Sequence, residues 1–317
     1  MNIFARFSKL TLYFAKEIKY NRLISKMKIK KEVLIMKKFL AILLAVLVVA
    51  FSFAACSKES GEKTDATNAD TTAAAESDLA YVQEKGDLVI GITYFEPMDY
   101  IDEKGELTGF EVEFGKAVCE KLGVEPKFQE ISWDAKETEL AAKNIDCIWN
   151  GLTITPERQE AMSITNPYMN NKQVIICKAE NKDAFAVAGG LDGKTVVAEK
   201  ESAGEEAIAD EAYADFFGKA KYIAVESMKN AMMEVKAGTA DAAVIDYVTG
   251  IGSLGEGSDY ADLAIVEKSF ADEQYGIAFR KGSDITEKVN EAIKELTEDG
   301  TLQKIADKYS LGEQLVK

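Results

Sequence analysis

The chain has 317 residues, enough for one large domain or two of ordinary size, and 47% of them are hydrophobic, so it can bury a substantial core. Its formal net charge of −16 disfavours binding to nucleic acid, and we expect no nucleic-acid partner. Because the chain contains no histidine, it lacks the residues for His-containing catalytic triads and for His-ligated zinc.

Residues 36–55, MKKFLAILLAVLVVAFSFAA, are typical of a secretory signal peptide, because two lysines precede a long apolar run. Small residues follow directly before Cys56. The sequence Phe53-Ala54-Ala55-Cys56 resembles a bacterial lipobox, which implies lipidation of the Cys56 sulfur. The alternative is a single transmembrane anchor, although the apolar run is near the lower length limit for spanning a bilayer.

The segment before this signal, residues 1–35, is rich in Lys and Arg. Since a secretory signal stands at the start of a chain, we expect translation to begin at Met36 and residues 1–35 to be a mis-assigned extension. Residues 1–55 carry eleven Lys and Arg against two Asp and Glu, so the remainder has a net charge of −25. A surface this acidic repels anionic lipid, so we expect membrane attachment to depend on the lipid at Cys56.

Residues 56–78 separate the signal from the folded part of the chain. The stretch SKESGEKTDATNADTTAAAESD is rich in small and charged residues and has no apolar face, which predicts a flexible tether. Beyond it, Cys119, Cys147 and Cys177 form an odd set without CxxC spacing, so we expect three buried thiols.

Strands and helices alternate from residue 88 onward, which predicts an α/β fold with mostly parallel sheet. Strands are predicted at 88–92, 126–132, 145–150, 173–178, 195–198, 222–225, 242–246 and 275–282. Helices are predicted over 110–122, 137–144, 204–216, 228–238, 284–297 and 301–309. We interpret Met228, Met232 and Met233 as the core of their helix rather than as a metal or cofactor site.

Three segments place polar residues after strands, where open α/β sheets bind ligands. In NGLTITPERQ, residues 150–159, Thr155 is a candidate N-cap, Pro156 starts a helix and Arg158 lies in its first turn. The N-terminal end of a helix is already partly positive, so a cation there is unfavourable unless an anion is present. The position of Arg158 therefore indicates that it binds an anion. The other two segments are Asp246, directly after the strand AAVI, and KESAGEE, residues 200–206.

Together these segments resemble the type II periplasmic solute-binding proteins, in particular the polar amino-acid family that serves ABC importers. The resemblance spans about residues 80–310 and is carried by LVIGITYFEPMDY, the block NGLTITPER, LDGKTVVAEKESA, AAVIDY and LTEDGTLQKIADKY. It implies a two-lobed α/β fold in which each lobe is a mostly parallel sheet flanked by helices. Residues 79–176 and 267–317 would form the first lobe and 177–266 the second, with a two-strand hinge near 170–177 and 267–275.

The resemblance implies a role for each residue that matches the motifs of the family. Arg158 would clamp the carboxylate of the ligand bidentately. Thr153 would add its hydroxyl, and backbone groups of Asn150 and Gly151 would reach the ligand. Asp246 would bind the ammonium group. An amino acid is a zwitterion, so one fixed cation and one fixed anion from different lobes would bridge the cleft and favour closure.

The resemblance also implies aromatic residues around the ligand side chain. These are Trp133 and either Phe95 or Tyr94, with Phe95 favoured. Backbone groups at the 201–204 turn, with Ser202 and Ala203, would close on the carboxylate from the second lobe. The family often has Gly-Ser-Thr where this chain has Glu201-Ser202-Ala203, so we expect Glu201 to place an anion near the carboxylate.

We therefore predict a monomeric, lipid-anchored receptor on the outer face of the cytoplasmic membrane. It would capture a free amino acid by lobe closure and deliver it to the membrane subunits of an ABC importer, without catalytic residues, cofactor or metal. One alternative is a dehydratase-like enzyme on the same fold, acting on a small carboxylic acid. Such an enzyme would need a general acid or base in the cleft. Another alternative, the sensing half of a receptor kinase, is disfavoured.

Overall fold

The computed structural model describes residues 77–255 and 257–317. The predictions on residues 1–35, the signal 36–55, Cys56 and all but the last two residues of the tether lie outside this range. Within it, no helix has both the length and the apolar character needed to cross a membrane.

Strands and helices alternate through the described part of the chain. The strands are β1 (Asp87–Ile92), β2 (Tyr100–Ile101), β3 (Leu107–Thr108), β4 (Glu125–Glu130), β5 (Cys147–Thr153), β6 (Met162–Ile164), β7 (Met169–Lys178), β8 (Thr195–Glu199), β9 (Lys221–Val225), β10 (Ala242–Asp246) and β11 (Leu263–Arg280). The α-helices are α1 (Asp78–Lys85), α2 (Phe110–Leu122), α3 (Lys136–Ala141), α4 (Pro156–Ala161), α5 (Lys182–Phe185), α6 (Ala203–Ala209), α7 (Ala214–Phe217), α8 (Met228–Ala237), α9 (Tyr247–Ser253), α10 (Ile285–Glu298) and α11 (Thr301–Lys308).

The main sheet has the strand order β4-β1-β5-β11-β7-β10-β8-β9, with β6 also paired to β11. At one end β1 is parallel to β4 and β5, and at the other β8 is parallel to β9 and β10. We call β1, β4, β5 and β6 with their helices the first lobe, and β8, β9 and β10 with theirs the second lobe. The mostly parallel character predicted for both groups is confirmed.

Two long antiparallel strands join the two lobes. β7 and β11 pair with each other from Leu263 opposite Lys178 to Tyr275 opposite Met169, with two register shifts. Beyond this ladder the C-terminal part of β11 pairs with β5 and β6, while β7 pairs with β10. Each strand therefore belongs to both lobes, which is the two-strand connection that was predicted.

Separate hydrophobic cores stabilise the two lobes. In the first, Phe114 packs edge-on against Trp149, with ring centroids 4.9 Å apart, beneath helices α2, α10 and α11. In the second, Phe270 contacts Phe217, with centroids 4.8 Å apart, and helices cover both faces of the sheet. The prediction for the three cysteines is confirmed, because Cys119, Cys147 and Cys177 are buried free thiols.

Some predicted elements differ from the structure. The helix predicted over 204–216 is wrong, because Asp210 has extended backbone and its side chain accepts a hydrogen bond from the Ala212 N–H at 2.9 Å, which ends α6 and starts a new turn. The strand predicted at 275–282 begins at Leu263, because pairing with β7 orders a segment that lacks strand alternation. Helices α1 and α9 were not predicted, since both are short and carry few periodic apolar residues.

Candidate functional site

A small cavity lies between the two lobes, at the carboxyl ends of β5, β8 and β10. Nine of the ten residues predicted to bind ligand line it, namely Phe95, Trp133, Asn150, Gly151, Thr153, Arg158, Ser202, Ala203 and Asp246. Thr93, Glu199 and Met228, which were not predicted, complete the wall. The tertiary structure thus brings together segments that are up to 153 residues apart in the sequence.

The two aromatic candidates in the first strand-to-helix loop occupy different places. Phe95 is buried and its ring packs on Gly151, where a Cβ would lie 2.9 Å from the ring. Gly151 also has a φ of +56°, so glycine is favoured there for two reasons. Tyr94 does not line this cavity and instead borders two neighbouring grooves, so the structure favours Phe95 as the aromatic wall.

Arg158 is held in a fixed orientation by its own short helix. The predicted N-cap is confirmed, because the Thr155 hydroxyl accepts a hydrogen bond from the Arg158 N–H at 3.2 Å. The guanidinium Nη1 donates to the Thr153 carbonyl at 2.8 Å, and Nη2 lies 3.4 Å from the Glu206 carboxylate of the second lobe. Since a guanidinium has five N–H donors, further donors remain for an anion in the cavity.

The hydroxyl of Thr153 belongs to a polar cluster on the hinge strands that sequence reasoning missed. It donates to Glu273 Oε2 at 3.1 Å, and Glu273 Oε1 accepts hydrogen bonds from Gln173 Nε2 at 2.7 Å and from Asn171. The other three residues of this cluster, Glu273, Gln173 and Asn171, lie on β7 or β11. The cluster could have been predicted from the sequence, because polar residues occur at alternate positions of the strands that were expected to form the hinge.

Asp246 is the last residue of β10 and is buried. Gln173 Nε2 donates to its Oδ1, so one amide contacts both Asp246 and Glu273. Burial raises the pKa of Asp246, while hydrogen bonds such as that from Gln173 act in the opposite direction. Burial, and next the charge of Asp246, raises the pKa of Glu273 to about 8. A cation at this position would offset the repulsion between the two carboxylates.

The backbone N–H of Gly151, one of the backbone groups in the segment predicted to reach the ligand, is used within the first lobe. It donates to both oxygens of the buried Glu111 carboxylate, at 3.0 and 3.2 Å. The side chain of Asn150 is likewise used within the first lobe. Its amide donates to the Thr93 carbonyl at 2.9 Å and to Asp99 at 3.0 Å, and its oxygen accepts from the Thr93 hydroxyl at 2.7 Å.

On the second lobe, the cavity wall includes the beginning of α6. Ser202 is its N-cap and accepts a hydrogen bond from the Glu205 N–H at 3.3 Å, with Ala203 next to it. Glu201 has a φ of +56°, the left-handed region that favours glycine. The side chain of Glu201, expected to place an anion near the ligand carboxylate, is exposed and does not line the cavity.

Glu201 contributes its carbonyl oxygen to a contact between the lobes. Trp133 Nε1 donates to this oxygen at 3.2 Å, and Lys136 Nζ lies 3.4 Å from it. Lys136 also lies over the Trp133 ring, 4.6 Å from its centroid. Burial, and next the charge of Arg158, lowers the pKa of Lys136. An exposed ion pair between Lys200 and Asp134, at 2.7 Å, links the lobes beside this contact.

Glu199, the last residue of β8, is a buried acid that sequence reasoning missed. Its Oε1 is completely enclosed and has no hydrogen-bond partner among residues 77–255 and 257–317. Burial, and next the charge of Asp246, raises the pKa of Glu199 to about 8, while the charge of Lys136 acts in the opposite direction. Glu199 could have been predicted by the rule that selected Asp246, because both residues stand at the end of a strand.

The methionines of α8 do not all belong to its core. Met232 is buried as predicted, but Met233 is 51% exposed and Met228 lines the cavity beside the polar residues. An unbranched thioether adapts its shape to neighbouring groups, so Met228 is suited to pack against a ligand side chain. No group of three or more metal-ligating side chains occurs in the part of the chain that the structure describes.

Residues 88–313 match the bacterial extracellular solute-binding proteins, family 3. An L-cystine-binding protein of Escherichia coli is 29% identical over 233 residues, which are 73% of this chain and 85% of that protein. A solute-binding protein of an ABC uptake transporter from Streptococcus pneumoniae, solved with bound histidine, superposes with a TM-score of 0.68 and 29% identity over 76% of this chain and 99% of that one.

A third similar structure is an ancestral amino acid-binding protein described as a precursor of cyclohexadienyl dehydratase. It has a TM-score of 0.65 and 30% identity, and the match covers 74% of this chain and 99% of that one. These neighbours share the two-lobed arrangement of type II periplasmic binding proteins, so the predicted fold class is confirmed. The cavity described above is the cleft of such a fold.

Proposed function

Because the chain belongs to the bacterial extracellular solute-binding proteins, family 3, we propose that it is an extracytoplasmic receptor that binds an α-amino acid and delivers it to an ABC importer. The observation that carries this proposal is the placement of Arg158 and Asp246 in the wall of one cavity, each from a different lobe. A zwitterion needs a cation and an anion at opposite ends, and this pair supplies both.

The ligand carboxylate binds the free donors of the Arg158 guanidinium, next to Ser202 and Ala203 at the start of α6. The orientation of the guanidinium is already set by the Thr153 carbonyl, so binding requires little reordering of this side chain. The ligand ammonium group binds Asp246, whose buried carboxylate it keeps ionised. Phe95, Trp133 and Met228 pack against the ligand side chain.

Ligand binding couples to closure of the lobes about β7 and β11, with the first lobe moving against the second. Since Arg158 and Asp246 belong to different lobes, a ligand that contacts both favours the closed arrangement. The hydrogen bonds from Trp133 and Lys136 to the Glu201 carbonyl add to this preference, because they join the lobes beside the cavity.

The chain is anchored by lipid on Cys56 after removal of residues 36–55, on the outer face of the cytoplasmic membrane, and acts as a monomer. Residues 56–78 form the tether, and translation begins at Met36, so that residues 1–35 are absent from the mature protein. Metabolic labelling with a fatty acid tests the anchor. We expect label on the wild-type protein and none on a Cys56→Ala variant.

The enzyme alternative is favoured by one structural neighbour, the dehydratase precursor, and by Glu199, an acid of raised pKa in the cleft that could donate a proton. It is less supported than binding, because the relatives are named as binding proteins. Incubation with small carboxylic acids separates the two functions, since a receptor returns its ligand unchanged.

Thermal unfolding with the twenty amino acids and cystine tests the receptor function. A ligand present at one hundred times its Kd stabilises a protein by about 2.7 kcal/mol. For a folded part of this size, that is a rise of several degrees in the unfolding midpoint. If no α-amino acid moves the midpoint of the wild-type protein, the proposed function is wrong.

A further inference from the structure

The charged groups in the cavity wall differ in whether they form hydrogen bonds with other groups of the protein. Arg158 contacts the Thr153 carbonyl, and Asp246 accepts a hydrogen bond from Gln173. Glu199 is as deeply buried as Asp246, at 3% exposure, yet its Oε1 has no partner within the described residues. A buried, unpaired carboxylate is unfavourable, and a ligand group that donates to it removes that cost.

Lys136 does not neutralise Glu199 directly. Its Nζ is directed at two carbonyl oxygens, those of Trp133 at 3.2 Å and Glu201 at 3.4 Å, and it forms no ion pair with Glu199. Lys136 therefore acts on Glu199 only through its more distant charge. The cavity wall itself contains one cation, Arg158, and two acids, Asp246 and Glu199.

We propose that Glu199 is a specificity-determining residue that accepts a hydrogen bond from a positively charged ligand side chain, so that the receptor selects basic amino acids. This inference rests on the proposed function, which assigns the ligand carboxylate to Arg158 and the ligand ammonium to Asp246. A basic amino acid carries one anion and two cations, and this set is complementary to one cation and two acids. A neutral amino acid leaves Glu199 buried without a partner.

The positions of the two acids agree with this assignment. β8 and β10 are parallel neighbours in the sheet, so their last residues, Glu199 and Asp246, lie at the same edge. The charge of Asp246 is felt by Glu199, whose pKa it raises after the larger effect of burial. Both acids also line the same cavity, so a ligand with its ammonium at Asp246 can extend its side chain toward Glu199.

The protonation of Glu199 should make the affinity for a basic ligand depend on pH. Because its pKa is about 8, Glu199 is largely protonated at pH 6.5, and a cation binds only after the proton is lost. Affinity for a basic ligand should therefore rise with pH up to about 8, by at most about tenfold per pH unit. The other titratable groups facing this region are Asp246, Lys136 and, behind Asp246, Glu273 with a pKa of about 8.

The test is calorimetric titration of the purified protein with arginine and with citrulline, which has the same shape and no side-chain charge. In the wild-type protein we expect arginine to bind at least about tenfold more tightly than citrulline at pH 8, the difference made by a hydrogen bond between charged groups. In Glu199→Gln the preference should fall to within a few-fold, with citrulline affinity nearly unchanged.

The matched control is Glu226→Gln, which removes an exposed acid of the second lobe that does not line the cavity. It should keep the wild-type preference. The arginine-to-citrulline ratio should also rise with pH in the wild-type protein and stay flat in Glu199→Gln, which separates Glu199 from Glu273. The wild-type pH profile needs no variant, and an arginine-to-citrulline ratio that does not rise with pH overturns the inference even if Glu199→Gln folds poorly.

Several outcomes overturn the inference while leaving the proposed function intact. They are citrulline binding as tightly as arginine, tighter binding of a neutral or acidic amino acid or of cystine than of any basic one, and an unchanged ratio in a folded Glu199→Gln variant. Conversion of a small carboxylic acid that stops in Glu199→Gln would assign Glu199 to catalysis instead. Absence of binding by every α-amino acid contradicts the proposed function itself.

Discussion

The two walls of the cleft are built differently. On the first lobe, the polar groups are tied to one another, as in the contact of Arg158 with Thr153 and of the Gly151 N–H with Glu111. On the second lobe, Asp246 has a partner, but Glu199 Oε1 has none within residues 77–255 and 257–317. The comparison indicates that the polar groups of the first wall are preorganised, whereas the second wall keeps a buried acid, Glu199, for the ligand contact proposed above.

The largest effect should come from breaking the preorganised wall at Arg158. Arg158→Ala removes charge-assisted hydrogen bonds to the ligand carboxylate, and we expect a loss of at least about one hundredfold in affinity for any amino acid. Arg158→Lys, which keeps the charge but not the planar fork, should lose nearly as much. Calorimetry measures this loss, and the unfolding midpoint of the ligand-free variant should stay close to that of the wild type. A large drop in that midpoint would instead indicate a structural role.

A second effect concerns the two acids of raised pKa, Glu199 and Glu273. Each has a pKa of about 8 in the folded protein against an ordinary value of 4.5, so folding takes up protons between these pH values. The free energy of unfolding should therefore be highest near pH 4.5 and fall as pH rises to 8, by about 1 kcal/mol per pH unit for each group.

Unfolding by denaturant at several pH values, without ligand, measures this slope. Glu199→Gln and Glu273→Gln should each reduce this slope, and the double variant should have a smaller slope than either single variant, while Glu226→Gln retains the wild-type slope. Equal slopes in the wild-type protein and the double variant would show that these two groups ionise normally.

A smaller effect is expected where the two walls meet, at Trp133. Trp133→Phe keeps an aromatic ring in the cavity but removes the hydrogen bond to the Glu201 carbonyl. The loss of one neutral hydrogen bond corresponds to about 0.5–1.5 kcal/mol, so affinity should fall by about two- to tenfold. We expect faster dissociation with little change in association, measured by stopped-flow fluorescence of the remaining Trp149. A change confined to the association rate would argue against a role in holding the lobes closed.

The smallest effect should come from Glu201 itself. Its left-handed backbone is strained for a residue with a Cβ, and glycine relieves that strain at some cost in unfolded-state entropy. We expect Glu201→Gly to raise the free energy of unfolding by at most about 1 kcal/mol, or the midpoint by a few degrees. Glu201→Ala, which keeps the Cβ, should bring no such gain. A lower midpoint for the glycine variant would mean that the Glu201 side chain stabilises the turn.

Most of the site could be predicted from the sequence because its motifs are local. Thr155, Pro156 and Arg158 lie within four residues, and the cap they form depends on backbone geometry that any helix start shares. Glu199 and Met228 were missed for the opposite reason. Met228 was assigned to the core of its helix, and Glu199 falls between the predicted strand 195–198 and the candidate segment 200–206. Their exposure to the cavity depends on how the second lobe faces the first.

The sequence by itself determined the α/β class, the alternation of strands and helices, the N-cap of α4 and the segments that carry the ligand residues. These follow from periodicity and from side-chain chemistry within short windows. Only the tertiary structure decided that Glu111 occupies the Gly151 N–H, that Gln173 contacts both Asp246 and Glu273, and that Glu199 has an unpaired oxygen. The partners in these contacts come from strands and helices far apart in the chain, and burial, which sets their pKa values, arises only once both lobes are assembled.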